Sequence, residues 1–145
     1  MAKITASRTI RAPREEVFAV TADLEDHADV VPRISGVEFL TEQRFGAGTR
    51  ARQTTGAGRR RSTAELEITE YEHPGRFRSV ADERGSTWDR TLTYLTTRDG
   101  TEVHLLVDVR PRTVLARLTN RFRLGSATRD LEEELDAVVA HFESP

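Results

Sequence analysis

The sequence predicts an α+β fold: a seven-stranded antiparallel sheet wrapped around a long C-terminal helix, with two short helices between strands 1 and 2. Apolar and polar residues alternate over seven segments, and most of these are separated by short, glycine-containing turns that typically join antiparallel neighbours. Residues 112–144 are helical in composition. Only that segment is long enough to cover one face of such a sheet.

The beginning of the chain predicts one strand and two short helices. Residues 3–10 alternate as a half-buried strand. Residues 12–20 begin a helix, because a proline and two glutamates in its first turn suit the positive end of a helix dipole. Residues 23–34 predict a second short helix that ends at or before Pro32, since helical backbone is disfavoured immediately before proline.

The other six predicted strands follow a period of two. The clearest runs from residue 62 to residue 71 and places Ala64, Leu66 and Ile68 on its inner face. Turn residues separate it from its neighbours, so consecutive strands are expected to pair. The six strands are 37–42, 49–55, 62–71, 76–82, 87–95 and 102–109.

Composition narrows the function classes. A chain of 145 residues fits one domain, 1–145, that can build a core without disulfides or metals. The net charge of −2 gives no electrostatic reason to bind nucleic acid. There is no cysteine and the four histidines form no ligand motif, so we expect neither a metal nor a cofactor. Without an apolar signal segment or a membrane-length run, a cytoplasmic location is expected.

The strand at residues 87–95 has an unusual inner face, which carries Trp88, Arg90, Leu92 and Tyr94. A guanidinium keeps its charge, so Arg90 must meet water in a cavity, an acidic partner or a bound anion. A wet cavity also explains the two aromatic neighbours, and we expect Trp88, Arg90 and Tyr94 to line one pocket between sheet and helix. The alternatives are an Arg90 that reaches the cavity mouth or pairs with a buried acid, and a Tyr94 packed in the core.

The inward polar groups of this strand are the candidate catalytic residues. Arg90 has the geometry to hold a carboxylate, an enolate or a carbonyl by paired hydrogen bonds, and Tyr94 to donate a proton or a hydrogen bond. His27 lies in the region expected to cover the cavity, although a lone loop histidine is more often a surface residue. The candidate ligand-binding residues are Trp88, Leu92, Leu66, Ile68, Leu105 and His27.

Strand, turn and helix-start signals along nearly the whole chain carry a family resemblance. They occur at residues 9–25, 31–40, 45–52, 68–77, 99–111 and 136–143. In these stretches the chain resembles the START-like (SRPBCC) superfamily with its helix-grip fold, and most closely its polyketide cyclase/dehydrase-like branch. The resemblance implies a cavity for an apolar or aromatic molecule, with cyclase, aromatase or dehydratase activity on a polyketide-like substrate as one outcome. Arg90 would then stabilise an enolate, Tyr94 relay a proton and Trp88 hold the rings.

The chain departs from the family pattern at two places. Val30 and Val31 stand where many relatives carry a tryptophan, and the strand at 62–71 lacks the inward arginine and tryptophans of aromatase/cyclases. With no general base evident near Arg90, a non-catalytic carrier of a lipid or quinone-like molecule competes with the enzyme. A protein-interaction module with a vestigial cavity is a third alternative. The sequence leaves open whether a reaction is catalysed, and also the oligomeric state.

An arginine-rich segment lies at the beginning of the predicted C-terminal helix. Residues 110–129 contain six arginines and no acidic residue. In 112–123 the apolar face has arginines at both edges, which is typical of a helix that contacts a membrane surface. An ordinary helix that covers the sheet is the favoured interpretation. Because the apolar stripe before Gly125 lies nearly opposite the stripe after it, we expect a bend, a break or a change of packing partner near Gly125.

Overall fold

The computed structural model describes residues 2–143, except for the side chains of residues 121–123. The described residues form seven strands and three α-helices, with a 3₁₀ turn at Gly58–Arg60. In chain order these are β1 (Ala2–Ile10), α1 (Arg14–Ala22), α2 (Leu24–Val30), β2 (Ile34–Phe39), β3 (Arg50–Thr55), β4 (Ser62–Glu72), β5 (Arg76–Glu83), β6 (Ser86–Thr97), β7 (Gly100–Pro111) and α3 (Val114–Glu143).

All seven strands belong to one antiparallel sheet with the order β1-β7-β6-β5-β4-β3-β2. From β2 onward each strand pairs with the next along the chain, as the short turns predict, and β1 adds to the free edge of β7. The helices α1 and α2 lie between β1 and β2 in the chain, and α3 follows the sheet. The predicted helix-grip fold is confirmed.

The two faces of the sheet differ as the alternation predicts. On β4, Leu66 is buried while Glu65 and Glu67 are exposed. On the outer face, Arg78 donates from Nε and Nη2 to the carboxylate of Asp89 at 2.9 and 2.6 Å. This hydrogen bonding lowers the pKa of Asp89. The charged residues named here thus lie on the outer face, whereas the inner face carries apolar residues and the inward side chains of β6.

The tightest part of the core lies at one end of the inner face, beneath α1. Phe18 of α1 packs against the rings of Tyr71 and Tyr94, with centroids 5.0 and 5.2 Å apart. Strand residues from β4, β6 and β7 complete this layer. The largest fully buried side chains are Tyr94, Phe18, Ile10, Ile68, Leu92, Leu105, Leu135, Val17, Val103, Val107, Val109 and Val138.

The C-terminal helix α3 runs without interruption through Gly125. The predicted break is wrong, because the helix is continuous and one face remains buried along its described length, whereas the bend and the change of packing partner stay predictions. Its buried or partly buried residues follow helical spacing: Ala116, Asn120, Leu124, Ala127, Leu131, Leu135 and Val138. The apolar stripe at the start of the helix instead faces solvent, with exposed fractions of 75% at Val114, 72% at Leu115 and 59% at Leu118. Phe122 and its neighbouring arginines Arg121 and Arg123 lie outside the described side chains.

We predict that two identical substitutions on α3 have very different costs. Leu135 is 1% exposed, so Leu135→Ala should lower the free energy of unfolding by about 2–5 kcal/mol. Leu115 is 72% exposed, and Leu115→Ala should change it by less than about 0.5 kcal/mol. Urea unfolding of both variants measures the difference. Equal losses would mean that the start of the helix is packed against the sheet after all.

Candidate ligand-binding site

A cavity of about 450 Å³ lies between the inner face of the sheet and α3. Strands β3 to β7 contribute one wall, α3 the opposite wall, and α1, α2 and Arg33 one end. The volume lies in the range of roughly 300–1,000 Å³ that small-molecule sites occupy. The fold therefore provides a space large enough for a compact organic ligand.

Small side chains explain why the space exists. Where α3 crosses the beginning of β6, the facing positions cannot fill the gap between helix and sheet. The small residues that line it are Ala64, Ser79, Ala81, Ser86, Ser126 and Ala127. At the other end of the same strands, Leu92, Tyr94 and Ile68 fill the layer completely. The cavity is thus a consequence of a size gradient along the inner face.

The residues predicted for the site divide between the cavity and the core. Trp88, Arg90, Leu66 and His27 line the cavity. The other predicted ligand-binding residues do not reach it and are fully buried in the core: Leu92, Ile68 and Leu105. They lie further towards α1, where large side chains leave no space.

Tyr94, one of the two candidate catalytic residues, also lies in the core rather than in the cavity. It is four residues beyond Arg90 on β6 and therefore about 13 Å further along the strand. Its hydroxyl lies 2.6 Å from Oγ1 of Thr21, which donates its own proton to the carbonyl of Val17 at 2.8 Å. Tyr94 therefore donates to Thr21, and burial raises the pKa of Tyr94. Tyr94 is therefore not one of the residues that line the pocket, contrary to the expectation from the sequence, because Thr21 of α1 lines the cavity and covers the Tyr94 hydroxyl.

Arg90 meets a buried acidic partner and also faces the cavity. Its Nη1 donates to Oε2 of Glu134 at 3.2 Å, and its Nη2 donates to Oε1. The side chain of Glu134 is only 4% exposed, whereas that of Arg90 is 22% exposed. Two of the environments predicted for Arg90 are therefore present together. The helix α3 supplies an acidic partner, and the guanidinium still lines the cavity.

Glu134 also holds a second cavity residue, His27 of α2. The imidazole Nε2 lies 2.5 Å from Oε1 of Glu134, and Nδ1 has no hydrogen-bond partner in the described part of the chain. An ionised carboxylate only accepts, so Nε2 of His27 carries the proton of this bond. Arg33 lies further out, with nitrogens 3.9 Å from Glu134 and 3.7 Å from Asp130. These five residues, His27, Arg33, Arg90, Asp130 and Glu134, are called the Glu134 cluster below.

The whole described fold matches a known family. Residues 1–143 match the family described as "Polyketide cyclase / dehydrase and lipid transport". The chain belongs to this family. Among solved structures, the Zhui aromatase/cyclase from a Streptomyces species is 18% identical, with a TM-score of 0.82 over 98% of this chain and 93% of that one. At these identities, the similarity of this structure and those that follow shows the shared fold.

Other solved structures with the same fold are similar to this family member. A protein from Thermus thermophilus is 22% identical, with a TM-score of 0.79 over 96% of this chain and 95% of that one. An uncharacterised protein from Rhizobium leguminosarum is 15% identical, with a TM-score of 0.76 over 98% and 94% of the two chains. No curated protein matches the sequence.

Glu134 of this family member is held in its charged form. Burial raises the pKa of Glu134, but the charge of Arg90 and the hydrogen bond from His27 lower it by more, so the pKa lies well below its ordinary 4.5. Burial likewise lowers the pKa of Arg90, and the charge of Glu134 more than restores it. Neither group exchanges a proton near neutral pH. The pair therefore presents to the cavity a hydrogen-bond donor next to a fixed negative charge.

Sequence reasoning missed Glu134 although the sequence contains a signal for it. Glu134 lies three residues after Leu131 and four before Val138, so it shares their buried helix face. An acid on an apolar stripe requires a cation, and Arg90 was the inward cation that required an acid. Pairing the inward cation with this acid would have identified Glu134 as the partner of Arg90.

The opposite end of the cavity carries a second set of polar side chains. Nδ2 of Asn120 on α3 donates to Oγ of Ser86 at 3.1 Å, and both residues are buried. Oγ of Ser62 donates to Glu83, and both line the cavity together with Arg84. The cavity therefore has polar groups at both ends, and Trp88 lines it between Ser86 and Arg90 on β6.

The described residues give no sign of two other kinds of site. Residues 2–143 contain no group of three or more His, Asp or Glu side chains arranged to hold a metal ion. No helix within that range has the length and apolar character needed to cross a membrane.

We predict that Glu134 makes the fold sensitive to acid. Because the folded-state pKa lies below the ordinary 4.5, its contribution to stability is complete above that pH and is lost progressively as the pH falls. Glu134→Gln should lower stability at neutral pH. It should also make stability fall less steeply with pH between about pH 5 and pH 3, where carboxylates of low pKa lose their contribution.

Urea unfolding across this pH range measures the slope. Glu133→Gln, at the exposed neighbouring position, is the matched control and should retain the wild-type slope. An unchanged slope in Glu134→Gln would show that Glu134 is not held ionised by its neighbours.

Proposed function

We propose that this family member binds an apolar or aromatic small molecule that carries a carbonyl or hydroxyl oxygen. The oxygen points to Arg90 in the Glu134 cluster, and the ring lies against Trp88. The observation that carries this proposal is an arginine that lines the cavity while a buried glutamate from the facing helix fixes its position. Such an arginine is oriented before a ligand arrives, which reduces the cost of ordering it on binding.

The charge balance of the cluster determines which oxygen it favours. Arg90 and Arg33 face the carboxylates of Glu134 and Asp130, so the four charges balance. The guanidinium has five N–H donors, and Glu134 engages its Nη1 and Nη2 without using all of them. The remaining donors suit a neutral carbonyl, a phenol or an enolate whose charge develops during a reaction.

The polar lining favours an oxygenated ligand over a plain hydrocarbon chain. Most lining residues carry a polar or charged group. A saturated chain would remove those groups from water without replacing their hydrogen bonds, which is unfavourable. The polar lining residues away from the Glu134 cluster are Thr21, Gln53, Thr55, Ser62, Ser79, Glu83, Arg84, Ser86, Asn120 and Ser126.

The second candidate is a non-catalytic carrier of a quinone-like molecule, which the same donors and the same ring platform suit. A cyclase, aromatase or dehydratase reaction requires, in addition, a group that moves a proton. His27 is the imidazole that lines the cavity, whereas Tyr94 does not line it and its hydroxyl is bonded to Thr21. Native mass spectrometry of freshly purified protein would identify a co-purified ligand. A quinone-like ligand would favour the carrier, and a polyketide-like ligand would favour the enzyme. The cytoplasmic location stays a prediction.

We predict that changing the shape of the cation at position 90 weakens oxygenated ligands selectively. Arg90→Lys keeps a positive charge beside Glu134 but loses the planar set of donors. Naphthoquinone should bind roughly tenfold more weakly, the effect of losing one hydrogen bond to a charged group. Naphthalene, which has no oxygen, should bind almost as before. Quenching of Trp88, the single tryptophan and a lining residue, measures both affinities.

The matched control for this variant is Arg50→Lys on the outer face. Arg50 forms an exposed ion pair with Glu65, at 2.6 Å between Nη2 and Oε1, and lies outside the cavity lining. It should leave both affinities unchanged. Equal weakening of naphthoquinone and naphthalene by Arg90→Lys would show that Arg90 shapes the cavity without contacting an oxygen, and would contradict the proposal.

A further inference from the structure

We propose that the first turns of α3 dock this protein onto an anionic membrane surface. The docking face is defined by the exposed side chains Val114, Leu115 and Leu118, with Arg117 beside them. The proposal is independent of which ligand occupies the cavity. It rests on the exposure of these side chains, on the distribution of charge along α3, and on the position of the face next to the cavity.

Exposure is the first observation. A helix that only covered the sheet would turn its largest apolar residues inward, yet here the buried positions in the first turns are Ala116 and Asn120. Val114, Leu115 and Leu118 are more than half exposed, and they are adjacent on one side of the helix. A contiguous exposed apolar surface of this kind indicates a binding partner.

Charge identifies that partner as an anionic surface. Residues 110–129 contain six arginines and no acid, whereas residues 130–143 contain six acids and no arginine or lysine. The sign therefore changes at one point along α3. An anionic bilayer attracts the first part and repels the second, which orients the helix with its start towards the membrane. Arg117 and Arg129 are exposed and have no acidic partner among the described residues, so both are available to lipid phosphates.

The docking face adjoins the cavity. Leu115, Ala116 and Thr119 line a surface groove together with Arg84 and Gly85. Arg84 also lines the large cavity, at the end where Asn120 and Ser86 lie. A molecule that leaves the membrane at this face would therefore first meet the end of the cavity where Asn120 and Ser86 lie. The exposed leucines would then hold the protein on the membrane and also place the cavity next to it.

A second copy of the chain suits this surface less well. An isologous dimer through the start of α3 would bring two arginine-rich segments together, and like charges would oppose it. A membrane offers many phosphates around a narrow apolar stripe, so flexible arginines can find partners without a fixed geometry. The observations therefore favour lipid over self-association.

Co-sedimentation with vesicles tests the proposal. The wild-type chain should bind vesicles of phosphatidylcholine and phosphatidylglycerol in equal parts, and should bind pure phosphatidylcholine far more weakly. The variant Leu115→Ser/Leu118→Ser should reduce the partition coefficient by at least about tenfold, because two leucines lose contact with the acyl chains. Arg117→Glu should reduce binding to the anionic vesicles, and added salt should do the same.

The matched control is Leu95→Ser/Leu106→Ser, which removes two exposed leucines from β6 and β7. It should bind like the wild type, and thermal unfolding of all variants checks that they are folded. The proposal is overturned if the wild type ignores anionic vesicles or if the control loses binding equally. It is also overturned if the Leu115/Leu118 variant only dissolves a dimer seen by light scattering.

Discussion

The contacts made by the buried carboxylate of Glu134 are the interactions on which the rest of the site depends. Glu134 joins three elements that are distant in the chain: β6 through Arg90, α2 through His27, and α3 through its own backbone. Because the carboxylate is buried and held ionised, these partners are fixed relative to one another. Their arrangement forms one of the two polar ends of the cavity, and small side chains on β4, β5 and α3 leave the space beside it.

Stability alone gives little reason for this arrangement. Replacing a buried ion pair by well-packed apolar residues is often neutral or stabilising, whereas removing one partner is costly. An apolar pair at Arg90 and Glu134 would close the same layer without desolvating charges. The presence of the pair in a cavity wall is instead explained by the proposed ligand, which uses the guanidinium that Glu134 holds in place. An apolar pair could then replace the ion pair in the fold, but it could not replace the guanidinium in ligand binding.

The sequence predicts the sheet well because alternation and turns are local. It also predicts that Trp88 and Arg90 share the inner face. It does not predict how far along the strand the cavity extends, so Tyr94 was assigned to a pocket that ends before it. That limit depends on which residues of α1 and α3 lie opposite each position, and this is a non-local property. The ion pair illustrates the same limit, because Arg90 and Glu134 are 44 residues apart in the chain.

The C-terminal helix shows a different limit of pattern reasoning. The largest apolar residues were taken to mark the buried face, which is the usual rule for a helix on a sheet. Over a cavity the rule fails, because the facing positions must be small or polar, as Asn120 and Ala127 are. The two opposed apolar stripes then predicted a bend, a break or a change of packing partner near Gly125. In the structure the exposed leucines face solvent beside the cavity, which is consistent with a surface that docks.

A double-mutant cycle across the central pair tests the account most directly. Arg90→Met and Glu134→Leu should each lower the free energy of unfolding by about 3–5 kcal/mol, because each removes one partner of the buried ion pair. The double variant should recover most of that loss and yet bind naphthoquinone as weakly as the Arg90→Met variant. A double variant that regains wild-type affinity for naphthoquinone together with its stability would contradict the account, since the pair would then serve the fold alone.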